Sequence, residues 1–206
     1  MEIISVNVGK EQAIQSKSGK TGIYKESTSK AVYVGTEGLT GDAIIDVENH
    51  GGVDQAVYIY GVPDYNWWSG ELQKDLKSGT FGENIMISDL ESSTLCIGDR
   101  LDMGHVILEV TSPRIPCVTL ATRMNDPKFV KRFVKAKRYG AYCRVIQTGE
   151  IQIGNIVTLI KYEGTRVSIN KLADAFYQPS IDQDQIKLFL SLPIDIRSRT
   201  DYETKL

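Results

Sequence analysis

The sequence predicts a mainly β protein with inserted helices, an α+β fold in which a barrel-like domain is followed by a small helical tail. Short runs rich in β-branched and aromatic residues, separated by glycine-containing turns, fill most of residues 1–163. After residue 163 the pattern changes to short helical segments separated by prolines. A chain of 206 residues suits one main domain with a small appendage, so we predict domains at 1–163 and 164–206.

The strand predictions rest on alternating polarity and on β-branched composition. Four segments show these features: 3–8, 56–60, 105–111 and 150–160. In the third segment, Val106, Leu108 and Val110 fall on one face of the strand. Because many short strands joined by tight turns favour closure, which removes exposed edges, we predict a closed or nearly closed antiparallel barrel.

Two helices interrupt the strands. The first is predicted over 62–76, with Pro63 at its first position. The second begins with Asp126 as its N-cap and Pro127 at its first position, and it stops near Gly140. The apolar stripe predicted for this second helix consists of Phe129, Val130, Phe133 and Val134.

Three further helices are predicted in the tail, over 167–177, 182–192 and 194–206. Ser168 and Asp182 are suitable N-caps for the first two, because their side-chain oxygens accept backbone N–H groups. Pro179 and Pro193 separate the three segments.

Composition and charge narrow the class of protein. With 24 Lys and Arg against 26 Asp and Glu, the net charge of −2 gives no basic excess for binding nucleic acid. The N-terminus lacks the pattern of a signal peptide and no apolar run is long enough to cross a bilayer, so we expect a cytoplasmic protein that is not bound to membranes. Three cysteines without a C-x-x-C pair favour reduced thiols over disulfides or structural zinc.

The segment TSPRIPCVTL, residues 111–120, holds Cys117 on a stiff approach, with Arg114 three residues upstream. Pro113 and Pro116 fix the backbone, and a nearby guanidinium stabilises the thiolate form of a cysteine. This pattern is typical of a reactive or metal-binding thiol. The alternative is that Cys117 is a small buried apolar residue beside a proline-rich turn.

Other polar positions are candidates for a pocket. His50 precedes Gly51 and Gly52, which permit close approach of the backbone to a ligand, and Asp54 follows. A lone histidine is also a common structural residue, and that alternative stays open for His50. Two further candidates are Asn84, at the end of the turn FGEN, and Arg138, at the end of the second helix, which can reach an anion.

Five motifs, in this order, resemble the MOSC domain superfamily, named for the C-terminal domain of molybdenum cofactor sulfurase. They are HGGVDQAVYIY, FGEN, IGD, PRIPC, and YGAYCRV followed by G-x-I-x-x-G. The resemblance covers roughly residues 1–160, and the helical tail is similar to the three-helix domain of the bacterial YiiM-like branch. The family is barrel-like with inserted helices, in agreement with the pattern of strands.

The resemblance implies a molybdenum–molybdopterin cofactor with Cys117 as the protein ligand of the metal. It also implies that cofactor-binding residues shape and line the pocket: Arg114, His50, Gly51, Gly52, Asp54, Asn84 and Arg138. Where relatives often have a basic residue after the aspartate of the first motif, this chain has Gln55, and its tail lacks the tryptophan often found near the end.

The activity that the resemblance implies is reduction of N-hydroxylated small molecules, including hydroxylaminopurine-type bases. Since the sequence has no flavin, haem or iron–sulfur signature, electrons would come from an external donor protein of the flavoprotein type. Two alternatives remain open: a sulfur-carrying module with a persulfide on Cys117, and a non-catalytic barrel that binds a small anion. The resemblance also leaves open a homodimer.

Overall fold

The computed structural model describes residues 1–15 and 19–206, and it describes residues 48 and 49 by their backbone only. The strands are β1 Ile3–Gly9, β2 Gln12–Ala13, β3 Lys20–Thr21, β4 Lys25–Thr28, β5 Val32–Gly35, β6 Gly38–Leu39, β7 Val57–Gly61, β8 Ile85–Ile87, β9 Arg100–Asp102, β10 Ile107–Pro113, β11 Ala141–Gln147, β12 Gly149–Ile151 and β13 Thr158–Ile160. The α-helices are α1 Val47–His50, α2 Val62–Leu72, α3 Val118–Arg123, α4 Phe129–Ala136, α5 Ile169–Phe176, α6 Gln183–Leu190 and α7 Ile196–Glu203. Two 3₁₀ turns cover Val53–Gln55 and Ser92–Thr94. This mixture of sheet and helices confirms the predicted α+β class.

An eight-stranded sheet forms the centre of the fold, in the order β13-β9-β10-β11-β7-β8-β1-β4. Smaller sheets are formed by β12-β5-β6 and by the hairpin β2-β3. Most neighbouring strands are antiparallel, but β7 and β8 are parallel. A parallel pair needs a long crossover connection, which α2 and the loop after it supply.

The large sheet curls without closing into a complete barrel. Backbone bonds from Ile3 to Asn155 and from Gly154 to Ile3 bring the edge of β1 to the chain just ahead of β13. The backbone N–H of Val157 also donates to the carbonyl oxygen of Met1, and Glu2 and Ile156 form an isolated antiparallel bridge, although β13 does not pair with β4. The sheet therefore agrees with the prediction in being nearly closed, and the prediction of antiparallel pairing is wrong for one pair of strands, β7 and β8, which are parallel.

The inserted helices lie close to their predicted positions but are shorter. Helix α2 begins at Val62, as predicted, and ends at Leu72 because Gln73 adopts a left-handed conformation with φ 50°. Helix α4 begins at Phe129, after a turn in which Asp126 accepts the backbone N–H of Lys128. It ends at Ala136, before Gly140.

An aromatic core joins these two helices to one side of the sheet. It is built around fully buried side chains: Tyr60, Trp68, Phe81, Phe129 and Phe133. Trp68 donates its indole N–H to the hydroxyl of Tyr60 at 2.8 Å, so the polar atom of the tryptophan is satisfied. This core forms one wall beside the loop that carries Arg114.

The tail contains the three predicted helices, α5, α6 and α7. Ser168 accepts the N–H of Lys171 and Asp182 accepts the N–H of Gln185, as predicted for N-caps. Buried tail residues such as Leu172 and Phe189 belong to the same apolar cluster as the residues of the sheet. The domain boundary at 164 therefore remains a prediction. Among the described helices, none has the length and apolar character needed to cross a bilayer.

Candidate functional site

The loop after β10 places Cys117 at the start of helix α3. Pro113 is the last residue of β10, and Cys117 is the N-cap of α3 with an extended backbone, φ −124° and ψ 172°. Its side chain is partly exposed, whereas Cys96 and Cys143 are buried. The fold therefore exposes the thiol of Cys117 and buries the other two thiols.

The surroundings of Cys117 favour its thiolate form. Burial raises the pKa of Cys117, but a hydrogen bond from His50, the charge of Arg114 and the N–H of Leu120 outweigh this effect and lower the pKa to about 6. Burial raises the pKa of Cys96 and of Cys143 above the ordinary value. At neutral pH only Cys117 is therefore expected to be mainly ionised.

Alkylation of the cofactor-free protein with iodoacetamide tests this difference. We expect the rate at Cys117 to rise with pH through a midpoint near 6, because the thiolate is the nucleophile. Peptide mass spectrometry measures the rate at each cysteine separately. A midpoint at Cys117 near the ordinary value of about 8.5 would contradict this assignment.

Arg114 is a buried cation with an unused hydrogen-bond donor. Its side chain is only 3% exposed, and its Nη1 has no hydrogen-bond partner in the described part of the chain. The guanidinium carbon lies 5.9 Å from the ring centre of Tyr58 and 5.7 Å from that of Phe133. Burial lowers the pKa of Arg114, but the nearby Cys117 and tyrosine side chains raise it overall, so the group stays charged.

His50 completes the group around the thiol. It is the last residue of the one-turn helix α1, and its side chain is close enough to Cys117 to lower the pKa of that thiol. The ring Nδ1 lies 3.5 Å from the hydroxyl of Tyr142, a residue of β11. The structure thus brings together His50, Arg114 and Cys117, three residues that the sequence analysis selected separately.

These residues line a first cleft of about 710 Å³. Asn84 lies in the same wall, where its side chain accepts the N–H of Tyr58 and donates to Asp42 at 2.8 Å. Asp42 also accepts from Lys25 at 2.6 Å, and this ion pair is almost fully buried. Burial lowers the pKa of Lys25 below its ordinary value in spite of its partner.

A second, wider cleft of about 2770 Å³ separates the loop around Cys117 from the helical tail. Pro113, Ile115 and Val118 line one side, and residues of α5 and α7 such as Phe176 and Arg197 line the other. The two clefts share six lining residues: Asp46, His50, Gln55, Cys117, Thr119 and Tyr142. Cys117 therefore stands where the two clefts meet.

Four of the predicted pocket residues do not line either cleft. Arg138 pairs instead with the buried carboxylate of Asp64 at 2.9 Å. Asp54 pairs with Arg144 at 3.1 Å and accepts the N–H of Ile196, so its carboxylate is used in joining the tail to the sheet. The other two, Gly51 and Gly52, are also absent from the walls of both clefts.

Sequence reasoning missed Lys25, Asp42 and the role of Tyr142. Lys25 begins β4, far from every motif along the chain, and reaches the cleft only because β4 pairs with β1. Among the described residues, no group of three or more His, Cys, Asp or Glu side chains is arranged to hold a metal ion. A metal bound at Cys117 would therefore need most of its ligands from a cofactor.

Comparisons with known proteins identify relatives of this chain and structures with a similar fold. Residues 46–158 match the family model described as the MOSC domain. The chain is 32% identical over 169 residues to the uncharacterized protein YflK of Bacillus subtilis, covering 81% of this chain and 76% of that protein. It is also 32% identical over 178 residues to a protein named reductase from Gibberella moniliformis, covering 78% of this chain but only 32% of that protein. The crystal structure of YiiM from Geobacillus stearothermophilus is similar with a TM-score of 0.82 and 26% identity, covering 100% of this chain and 98% of the other.

Proposed function

This chain belongs to the MOSC domain family, and on that premise we propose that it is a molybdenum-cofactor-dependent reductase of N-hydroxylated compounds. The observation that carries the proposal is the low-pKa thiol of Cys117, held where two clefts meet and next to the buried guanidinium of Arg114. The fungal relative named reductase supports an activity of this class.

The first cleft fits a molybdenum–molybdopterin cofactor. A thiolate is a ligand suited to a metal centre that already carries sulfur, and Cys117 offers one at neutral pH. The unpartnered Nη1 of Arg114 is a donor for an anionic group of the cofactor, such as its phosphate. Lys25 lies in the same wall but is already paired with Asp42, so it adds no net charge for the cofactor.

When bound, this cofactor would supply the two-electron chemistry that converts R–NH–OH, two electrons and two protons to R–NH₂ and water. The residues of the chain have three tasks in this reaction. Cys117 would hold the metal, Arg114 would balance the negative charge beside it, and His50 and Tyr142 would supply protons to the hydroxyl oxygen that leaves the substrate as water.

We assign the two clefts to different ligands. The first cleft would hold the cofactor, so a small-molecule substrate would approach Cys117 through the second cleft, along the tail. Electrons would come from a separate flavoprotein-type donor, and we place the reaction in the cytoplasm.

Reconstitution tests the proposed reaction directly. The protein is loaded with molybdenum cofactor, supplied with a chemical reductant and given 6-hydroxylaminopurine, and chromatography measures the formation of adenine. We expect turnover that requires both the cofactor and the reductant. The reductase proposal would be overturned if the protein binds molybdenum but forms neither adenine from 6-hydroxylaminopurine nor the corresponding amine from any other hydroxylamine.

One observation also supports a second function, that of a sulfur carrier. A partly exposed thiolate with a lowered pKa is suited to carry a persulfide as well as a metal. This alternative predicts sulfur on Cys117 that cyanide releases as thiocyanate, with no cleavage of N–O bonds. The reconstitution assay and cyanolysis together separate the two functions.

A further inference from the structure

Arg197, in the first turn of tail helix α7, contacts the segment that carries His50. Its Nη2 donates to the carbonyl oxygens of Val47 at 3.1 Å and Gly51 at 2.6 Å. Its Nη1 donates to the side-chain oxygen of Gln55 at 2.8 Å. One side chain of the tail therefore holds both ends of helix α1 and the turn that follows it.

Helix α1 needs such an anchor because it consists of only four residues. A single helical turn is unstable by itself, since fixing its backbone costs more free energy than its first hydrogen bond returns. The carbonyl oxygen of Val47 accepts the backbone N–H of Gly51 at 3.2 Å, and Arg197 adds a second donor there and binds the carbonyl oxygen of Gly51, just past the end of the helix. Tertiary contacts must therefore set the position of His50.

A second connection ties the same two elements together. Asp54, in the 3₁₀ turn after α1, accepts the backbone N–H of Ile196 at 2.8 Å. Its other carboxylate oxygen lies 3.1 Å from Arg144, which also donates to the carbonyl oxygen of Ile194 at 3.1 Å. The start of α7 is therefore fixed relative to the sheet, so the backbone that carries Arg197 has a fixed position.

We propose that Arg197 is a positioning residue, through which the helical tail holds α1 so that His50 stays beside Cys117 in the wall that the two clefts share. Although Arg197 lies in the wall of the second cleft, both terminal nitrogens are bonded to groups of the segment 47–55. Its role is therefore to shape the site, and the tail forms part of that site.

The test compares Arg197→Gln with Arg199→Gln in the full-length, cofactor-free protein. Arg199 is a matched control because it also donates to two carbonyl oxygens, those of Leu190 and Leu192, but both lie within the tail. Hydrogen exchange measures the backbone amides of residues 46–56, and alkylation at pH 6 measures the reactivity of Cys117. Thermal unfolding of both variants measures any general loss of stability.

In Arg197→Gln we expect exchange in residues 46–56 to become about tenfold faster and alkylation of Cys117 about tenfold slower, because the three hydrogen bonds of the guanidinium to this segment are lost. Arg199→Gln should change neither quantity by more than about twofold. Arg197→Lys, which keeps the charge but not the forked geometry, should give intermediate values and serves as the test if Arg197→Gln does not fold.

Equal exchange and alkylation rates in the Arg197 and Arg199 variants would overturn the inference. If Arg197→Gln does not fold, the inference would be overturned by an Arg197→Lys variant with the same exchange and alkylation rates as the wild type. Neither measurement needs cofactor or turnover, so this inference and the proposed reductase activity can fail independently.

Discussion

Replacing Cys117 with serine is expected to remove bound molybdenum and to lower reductase turnover by about a thousandfold or more. A serine hydroxyl is not ionised at neutral pH and is a harder ligand than a thiolate, so it cannot replace the sulfur at a metal centre of this kind. The measurements are elemental analysis of molybdenum per protein chain, after purification from a host that makes the cofactor, and the rate of adenine formation.

Cys96→Ser is the matched control for this variant. It makes the same chemical change at a buried thiol that is held in its neutral form and lines neither cleft. We expect it to keep its molybdenum and most of its turnover. If Cys117→Ser retains molybdenum and more than about a tenth of the wild-type rate, Cys117 is not the metal ligand and the proposed mechanism is wrong.

The residues around Cys117 were predictable because the chemistry and the local sequence coincide. PRIPC places the cation and the thiol within one stiff loop, so the sequence made Arg114 a candidate to stabilise the thiolate of Cys117, and the structure places the two side chains near each other. His50 was selected from a separate motif. Only the fold, which brings both residues to the place where the two clefts meet, shows that it lies beside the same sulfur.

The roles of Asp54 and Arg138 were not predictable, because each depends on a partner that is distant along the chain. Asp54 belongs to a motif associated with the pocket, yet its carboxylate bonds to the first residue of α7, 142 positions later. Arg138 is found beside Asp64, which is 74 positions away and fully buried. A charged side chain binds the nearest buried opposite charge, and sequence patterns do not show which one that is.

The parallel pair within the sheet was not predictable for a related reason. Alternation and tight turns identify strands, but they do not fix which strands become neighbours. The parallel pairing of β7 with β8 follows from the crossover through α2, whose contacts with the aromatic core involve side chains from several distant segments. Closure depends on such long-range packing and not on the pattern within any one strand.

Arg114→Met is expected to lower cofactor affinity by about a hundredfold and, at the same time, to stabilise the cofactor-free protein. A buried guanidinium with an unpartnered Nη1 carries a desolvation cost of several kcal/mol, and only part of it is offset by the rings of Tyr58 and Phe133. Methionine fills similar space without that cost. We expect the midpoint of thermal unfolding to rise by about 3 °C for each kcal/mol gained.

The stability gained in Arg114→Met should decrease as the pH rises through the pKa of Cys117. Below its pKa of about 6 the thiol is neutral and Arg114 is a lone buried charge, so methionine should stabilise most at pH 5. At pH 8 the thiolate pairs with the guanidinium, and the stability gained by the methionine variant should be smaller.

Arg138→Met is the control, and we expect it to have the opposite effect on stability. It leaves the fully buried Asp64 without its cation, so it should destabilise the protein by about 1–3 kcal/mol. It should not change the affinity for the cofactor. If Arg114→Met instead destabilises the cofactor-free protein at pH 5, the guanidinium belongs to the folded core. Arg114 would then stabilise the fold, and its purpose would not be to bind an anionic ligand.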